Sequence, residues 1–179
     1  MEKFNFIDRP DDDRIQSMAK GFDYDINPNS VTAYLKLQWT FREVEKNYNK
    51  ILEHFDLSES RFVIMMYLSR AEENQLLSSE LAERLGVSKA TISKILKKME
   101  EKNLIEKIPS KTDKRSTYIK LTEEGLKKLK YFLPYNYKAV DQLFSNFSEK
   151  ELENFAQLLE KLENNKEKLK IMENELNEQ

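Results

Sequence analysis

Lys89, Thr91, Ser93, Lys94, Lys97 and Lys98 fall within ten residues of one another. Hydroxyls and ammonium groups at that density are hydrogen-bond donors suited to base edges and phosphate oxygens. Threaded among them, Ile92, Ile95, Leu96 and Met99 recur at helical spacing, so a single helix would bury one side and present the donors on the other. Most of the donors lie in the first half of that helix, the half that meets bases when a helix enters a major groove. An ordinary solvated helix face is the competing assignment. The charge distribution bears on the choice. The net charge is only −2, yet residues 86–120 hold ten basic and four acidic side chains, while 1–28, 29–85 and 121–179 carry −3, −2 and −3. One positive block in an acidic chain is the footprint expected for a polyanion.

Other chemistries have little material. With no Cys and one His, the chain lacks a thiolate nucleophile, a disulfide scaffold, a thiol redox switch and a His-rich metal site. His54 falls near a helix end, where capping or simple exposure accounts for it. Asp11, Asp12 and Asp13 lack the Gly turn and trailing Glu of a calcium loop, and start a helix instead. No Gly-rich phosphate loop or nucleophile–base pair is present, so no enzymatic activity is expected. No cofactor and no metal are expected either. The N-terminus lacks the layout of a secretory signal, and no apolar run reaches the ~18 residues of a membrane span, which leads to an expectation of a cytoplasmic protein with no membrane partner.

The 179 residues include only 3 Gly and 4 Pro, with 35% charged side chains and a mean hydropathy of −0.75. That composition favours long helices. An acidic arm spans 1–28. A long helix follows at 29–56, capped by Asn29 or Ser30. Its residues Tyr34, Leu37, Phe41, Val44, Tyr48, Ile51 and Phe55 alternate by three and four, with Val31, Leu35 and Trp39 on a second stripe. Two apolar stripes call for two partners, one of them a second subunit, unless the helix is buried in its own core. Ser58 and Ser78 each cap a shorter helix. Gly86-Val87-Ser88 then forms a tight turn into the donor-bearing helix, the signature of a helix-turn-helix. Leu104, Ile105 and Ile108 read as one strand and Tyr118, Ile119 and Leu121 as another. The basic turn between them, residues 109–115, makes a wing whose Arg115 lies along the phosphate backbone or enters the minor groove. Thr122 caps a further helix that Pro134 should end or kink. Ser148-Glu149-Lys150-Glu151 is a capping box opening the last helix, where Leu152, Phe155, Leu159 and Leu162 continue the seam.

With those elements in place, the sequence resembles the MarR family of bacterial transcription regulators over about 150 residues. The match is sharpest from Leu76 to Ser93, and continues through Leu96, Met99-Glu100, Asn103-Leu104-Ile105, Asp113-Lys114-Arg115 and Leu121-Thr122-Glu123-Glu124-Gly125. It departs where Asn103 replaces a common Gly, which preserves a left-handed helix stop, and where Glu106 replaces a basic residue, which removes one phosphate contact.

The resemblance implies a mainly α fold (α+β with a small wing), a winged helix-turn-helix lobe at 57–121 between long N- and C-terminal dimerisation helices at 29–56 and 122–179. It implies a homodimer bound to double-stranded DNA as a repressor on a pseudo-palindromic operator. DNA contacts would come from Ser88, Lys89, Ala90, Thr91, Ser93 and Lys94, with Lys97, Lys111, Lys114 and Arg115 adding cationic contacts and Asp113 structuring the wing. Tyr34, Leu37, Phe41, Val44, Tyr48, Leu152, Phe155 and Leu159 would form the dimer interface. A small aromatic or lipophilic effector would sit near Trp39, Arg42, Phe62, Met65, Met66 and Tyr67, with Arg42 suited to a carboxylate. Packing in the core is the competing assignment for those six. A winged-helix module that binds protein rather than DNA is the alternative function, and the confinement of positive charge to the recognition helix and wing argues against it.

Overall fold

A computed structural model describes residues 10–21, 27–110 and 116–178. The chain divides into two compact units, residues 1–132 and 133–179.

In the first unit, α1 (Asp12–Gly21) begins where the Asp11 carboxylate accepts a hydrogen bond from the Arg14 amide at 2.9 Å. α2 (Pro28–His54) is capped by Asn27, whose side chain accepts from the Asn29 amide at 3.0 Å. The cap therefore lies two to three residues earlier than expected. The reason is Pro28, which occupies the first helical turn because its missing N–H has no intrahelical partner to lose. α1 packs along α2, with Ile15 buried and the Thr32 hydroxyl donating to Asp12 at 2.5 Å. Val31, Leu35 and Trp39 are half-buried, whereas Tyr34 and Phe41 on the other stripe remain 58% and 65% exposed. Further along α2, Leu52 is fully enclosed.

Three helices of this unit end in the same way. α2 stops at Asp56 (φ 53°), α4 (Ser78–Arg84) at Gly86 (φ 62°) and α5 (Lys89–Glu101) at Asn103 (φ 54°). In each, the left-handed residue donates back to the carbonyl three positions earlier, and the next residue's amide reaches five positions back. The longer bonds are Leu57 to Leu52 at 2.9 Å, Val87 to Ala82 at 3.0 Å and Leu104 to Met99 at 2.9 Å. This double closure satisfies carbonyls that the helix end would otherwise leave unpaired, and it turns the following apolar residue back onto the helix. Leu57 and Leu104 are buried accordingly.

α3 (Glu59–Arg70) contributes Ile64, Met65 and Leu68 to the core, and Ser58 caps it. A 3-10 turn at Glu72–Asn74 leads into β1 (Gln75–Leu77). β1 was absent from the sequence-based expectations, because three residues are too few to display a period of two. It pairs with β3 (Thr117–Leu121), which pairs in turn with β2 (Ile105–Pro109), giving an antiparallel sheet ordered β1-β3-β2. Since β1 runs directly into α4, Leu77 occupies the cap position and Ser78 is the first helical residue, with no side-chain cap.

α6 (Glu123–Leu143) starts on a three-way latch. The Thr122 amide donates to the Leu104 carbonyl at 3.2 Å, its hydroxyl donates to the Asn103 carbonyl at 2.7 Å, and the same oxygen accepts from the Gly125 amide at 3.0 Å. The helix passes so close to Leu104 that a β-carbon on Gly125 would sit 2.1 Å from the Leu104 carbonyl oxygen. Pro134 lies inside α6 rather than ending it. Proline removes one hydrogen bond, to the carbonyl four positions earlier, and the helix continues on both sides of that gap.

The second unit contains the last residues of α6, then α7 (Glu149–Asn164) and α8 (Lys166–Asn177), separated at Asn165. The capping box is present in full, with Ser148 and Glu151 exchanging hydrogen bonds. Phe144, Phe147 and Phe155 form a ring cluster with centroids 5.5–6.4 Å apart. Leu158, Leu162, Leu169, Met172 and Leu176 are exposed.

Gly125→Ala should lower unfolding stability by about 2 kcal/mol or more, because the new methyl overlaps backbone rather than a movable side chain. Gly86→Ala, strained only by its positive φ, should cost about 1 kcal/mol. Urea titrations of both variants check the order, and a Gly125→Ala cost at or below that of Gly86→Ala would contradict the close approach at Leu104.

Candidate nucleic-acid interface

α5 separates its side chains as the spacing predicts. Ile92, Leu96 and Met99 are buried, Ile95 is only half-buried, and Ser88, Lys89, Ala90, Thr91, Ser93, Lys94 and Lys97 are all exposed. Ser88 has a structural task as well, since its hydroxyl accepts from the Thr91 amide at 3.1 Å and lies 2.9 Å from the Thr91 hydroxyl. That contact fixes the first turn of α5, so the amides and hydroxyls at its N-terminus point in a defined direction. The helix dipole adds partial positive charge at the same end.

Electrostatic pairing concentrates the remaining positive charge on this face. Lys107 on β2 is 2.6 Å from Glu100, and Lys120 on β3 is 3.8 Å from Glu106, its register partner across the sheet. Glu106, unusual for the resemblance, thus neutralises a neighbouring lysine. Lys97 is 3.9 Å from Glu101. Lys89, Lys94 and Lys98 form no ion pair among the described residues. Next to α5, the hairpin is closed at its base where the Ser110 amide donates to the Ser116 carbonyl at 3.0 Å. Lys111, Asp113, Lys114 and Arg115 lie outside the described residues.

The other site residues are distributed over both units. Met65 is fully buried in the core and Phe62 meets Phe132 edge-on at 5.0 Å, while Met66 is half-buried. Arg84 lies 5.5 Å over the Tyr67 ring. Trp39 lines an open cleft between α1 and α2, beside Leu35 and Lys36, and Arg42 is half-buried on the same helix. Of the interface residues, Tyr34, Leu37 and Phe41 are exposed on α2, Val44 and Tyr48 are half-buried, and Leu152, Phe155 and Leu159 are exposed on α7. Burial and the nearby Glu59 carboxylate raise the Tyr48 phenol above its ordinary value.

One cluster was not anticipated by motif. Both oxygens of Asp56, just past α2, accept from Lys102, the residue that caps the end of α5. Lys128 of α6 is 3.9 Å away, and Arg61 of α3 is 4.0 Å away while donating to the Asp56 backbone carbonyl at 3.2 Å. The Lys102 hydrogen bond is the main cause that holds the Asp56 carboxyl below its ordinary value, against a smaller opposing effect of desolvation. The only sequence signal was an Asp following a helix end.

Among the described residues, no helix is long and apolar enough to cross a membrane, and no three His, Cys, Asp or Glu side chains gather as metal ligands.

Comparison with known proteins agrees with this geometry. The MarR family model matches residues 55–116. The transcriptional repressor YetL of Bacillus subtilis is 33% identical over 129 residues, covering 70% of this chain and 77% of YetL. The MepR–DNA complex of Staphylococcus aureus superposes with a TM-score of 0.64 at 27% identity, covering 73% of this chain and 94% of MepR. AbsC of Streptomyces coelicolor, a MarR family regulator, gives 0.71 at 23% identity over 78% of this chain and 95% of its own, a likeness of fold.

The Asp56 cluster predicts a pH dependence. A carboxyl whose native pKa is depressed contributes stability above its unfolded value and loses it as pH falls through the native one. Between about pH 5 and pH 2, wild type should therefore lose more stability than Asp56→Asn, with the two urea midpoints converging in acid. Parallel curves would show that Asp56 is not held ionised by its neighbours.

Proposed function

The chain belongs to the MarR family, and on that premise we propose that it is a DNA-binding transcription regulator, acting as a repressor that occludes a pseudo-palindromic operator. It works as a binding protein, with no reaction of its own. The observation that carries this reading is the exposed face of α5, where Lys89 and Lys94 stand unpaired among the described residues beside Thr91 and Ser93. YetL is named as a repressor, and MepR was solved on DNA. Both support the assignment by kinship.

In the proposed complex, Ser88, Lys89, Ala90, Thr91, Ser93 and Lys94 face base edges at the N-terminal half of α5, and Lys97 faces phosphate. Lys111, Lys114 and Arg115 of the wing contact backbone or minor groove, with Asp113 shaping the turn. Two copies pair through the exposed Tyr34–Leu37–Phe41 stripe, continued at Val44 and Tyr48, and through Leu152, Phe155 and Leu159. Recognition helices one helical turn apart, about 34–36 Å, then meet successive major grooves. A small aromatic or lipophilic effector near Trp39, Arg42, Phe62, Met65, Met66 and Tyr67 would release the operator only by binding the two helix spacings with different affinity.

The direct test is selection from a random duplex pool followed by fluorescence anisotropy against a scrambled duplex. Specific, salt-dependent binding is expected, and equal weak binding to both duplexes would contradict the assignment. Lys94→Ala should cost about 1–3 kcal/mol and relax preference at one base position. Lys111→Ala should weaken all duplexes alike and reduce the salt slope by about one. Phe41→Asp should yield monomers in sedimentation velocity, and a persisting dimer would relocate the interface.

A further inference from the structure

We propose that Asp56 is a positioning residue for DNA binding: it ties the C-terminal end of α5 to the end of α2, so that the orientation of α2 sets that of the recognition helix. The inference rests on the DNA-binding reading and adds a residue far from the base-reading half of α5.

Four elements converge on one carboxylate. Asp56 ends α2 in a left-handed conformation, and its two oxygens grip Lys102 at the C-cap of α5. Lys128 brings in the first half of α6 and Arg61 the start of α3. Arg61 also donates through Nε to the Ser58 hydroxyl at 3.1 Å, so it binds the cap of α3 and the end of α2 together. The link spans 46 residues of sequence. At its α5 end the chain is already immobilised by the Asn103 stop and the Thr122 latch. Lys102 therefore links two helix ends whose backbones are already fixed.

Energy alone would not single out this cluster. The Asp56 side chain is 59% exposed, and pairs in such settings contribute little to stability. Orientation is a different quantity. A recognition helix must be held to within a fraction of an ångström to align donors with base edges, and each of its two ends needs a fixed reference. Ser88 provides one at the N-terminus and Lys102–Asp56 the other. Lys102 donates its hydrogen bonds to Asp56, which keeps it out of the set of phosphate contacts.

The substitution Asp56→Asn separates charge from backbone, because Asn adopts the left-handed conformation as readily as Asp. The probe is a duplex selected from a random pool by the full-length wild-type protein, alongside its scrambled counterpart. Asp56→Asn and Lys102→Met should each weaken the selected duplex about fivefold, and the double variant should be no worse than either single one. Scrambled-duplex affinity and salt slope should stay at wild-type values, and Asp56→Glu should recover part of the loss. A melting curve verifies that each variant is folded. Wild-type affinity in Asp56→Asn would overturn the proposal while leaving the DNA-binding reading intact. So would additive losses with a salt slope reduced by about one in Lys102→Met, which would make Lys102 a phosphate contact. Failure of wild type to select any duplex would remove both.

Discussion

The Leu104 carbonyl is the point on which the lobe is assembled. α5 has stopped one residue earlier, at the left-handed Asn103, and the Leu104 amide has turned back to Met99. The carbonyl of the same residue then receives the Thr122 amide at the start of α6. The end of α5, the residue before β2 and the start of α6 thus meet at one residue. The approach needed for that meeting leaves 2.1 Å where a side chain at Gly125 would begin, so glycine is required there for space rather than for an unusual backbone angle. Ile105, one residue on, starts β2 and sits opposite Leu121, one residue before Thr122. Sheet register and helix position are therefore fixed by the same few atoms.

Much of this was legible beforehand, and the reasons differ by element. Gly86 and Asn103 announced their helix stops because both residue types tolerate positive φ. Asp56 makes the same stop, and an Asp between Phe55 and Leu57 carries a weaker signal, because Asp visits that conformation only occasionally. The amphipathic face of α5 was readable because thirteen residues contain several turns of its period. β1, with three residues, contains less than two repeats of its own. It becomes visible only through its partner, since Leu76 stands opposite Ile119. The cap of α2 was misplaced for a related reason: Asn27, Asn29 and Ser30 are all competent caps, and the choice falls to whichever lets Pro28 occupy the first turn. Pro134 shows the converse. Its local preference was read correctly, yet one lost hydrogen bond does not stop a helix of 21 residues.

The charge on the candidate interface is sharper than the sequence block suggested. Ten basic residues lie between 86 and 120, but Lys102, Lys107 and Lys120 are occupied by Asp56, Glu100 and Glu106, and Lys97 lies within reach of Glu101. The first three sit at the far end of α5 or on the sheet. What remains unpaired among the described residues is Lys89, Lys94 and Lys98 along α5, together with the dipole of its first turn. Intramolecular acids have therefore narrowed a broad cationic segment to the exposed face of α5 among the described residues. Composition cannot display this, because pairing depends on register and on where the helices end. Glu106 illustrates the point: as a sequence feature it subtracts a phosphate contact, and in the fold it selects which lysine stays available.

The two stripes of α2 are resolved by the chain's own N-terminal segment. α1 lies along α2 beside Leu35 and Trp39, held by buried Ile15 and the Thr32–Asp12 hydrogen bond. That accounts for one of the two partners that the periodicity called for, and the acidic arm supplies it. The stripe of Tyr34, Leu37 and Phe41 is left to water. Three large apolar side chains in succession on one helix face are costly to expose, at about 25 cal/mol per Å² of apolar surface. Single exposed hydrophobic residues are ordinary on a protein surface, whereas an aligned row marks a contact. Because α1 occupies the alternative stripe, α2 is left with one apolar face. The N-terminal segment thus removes one apolar face of α2 from any competition for partners, and selectivity follows from covering a surface as much as from offering one.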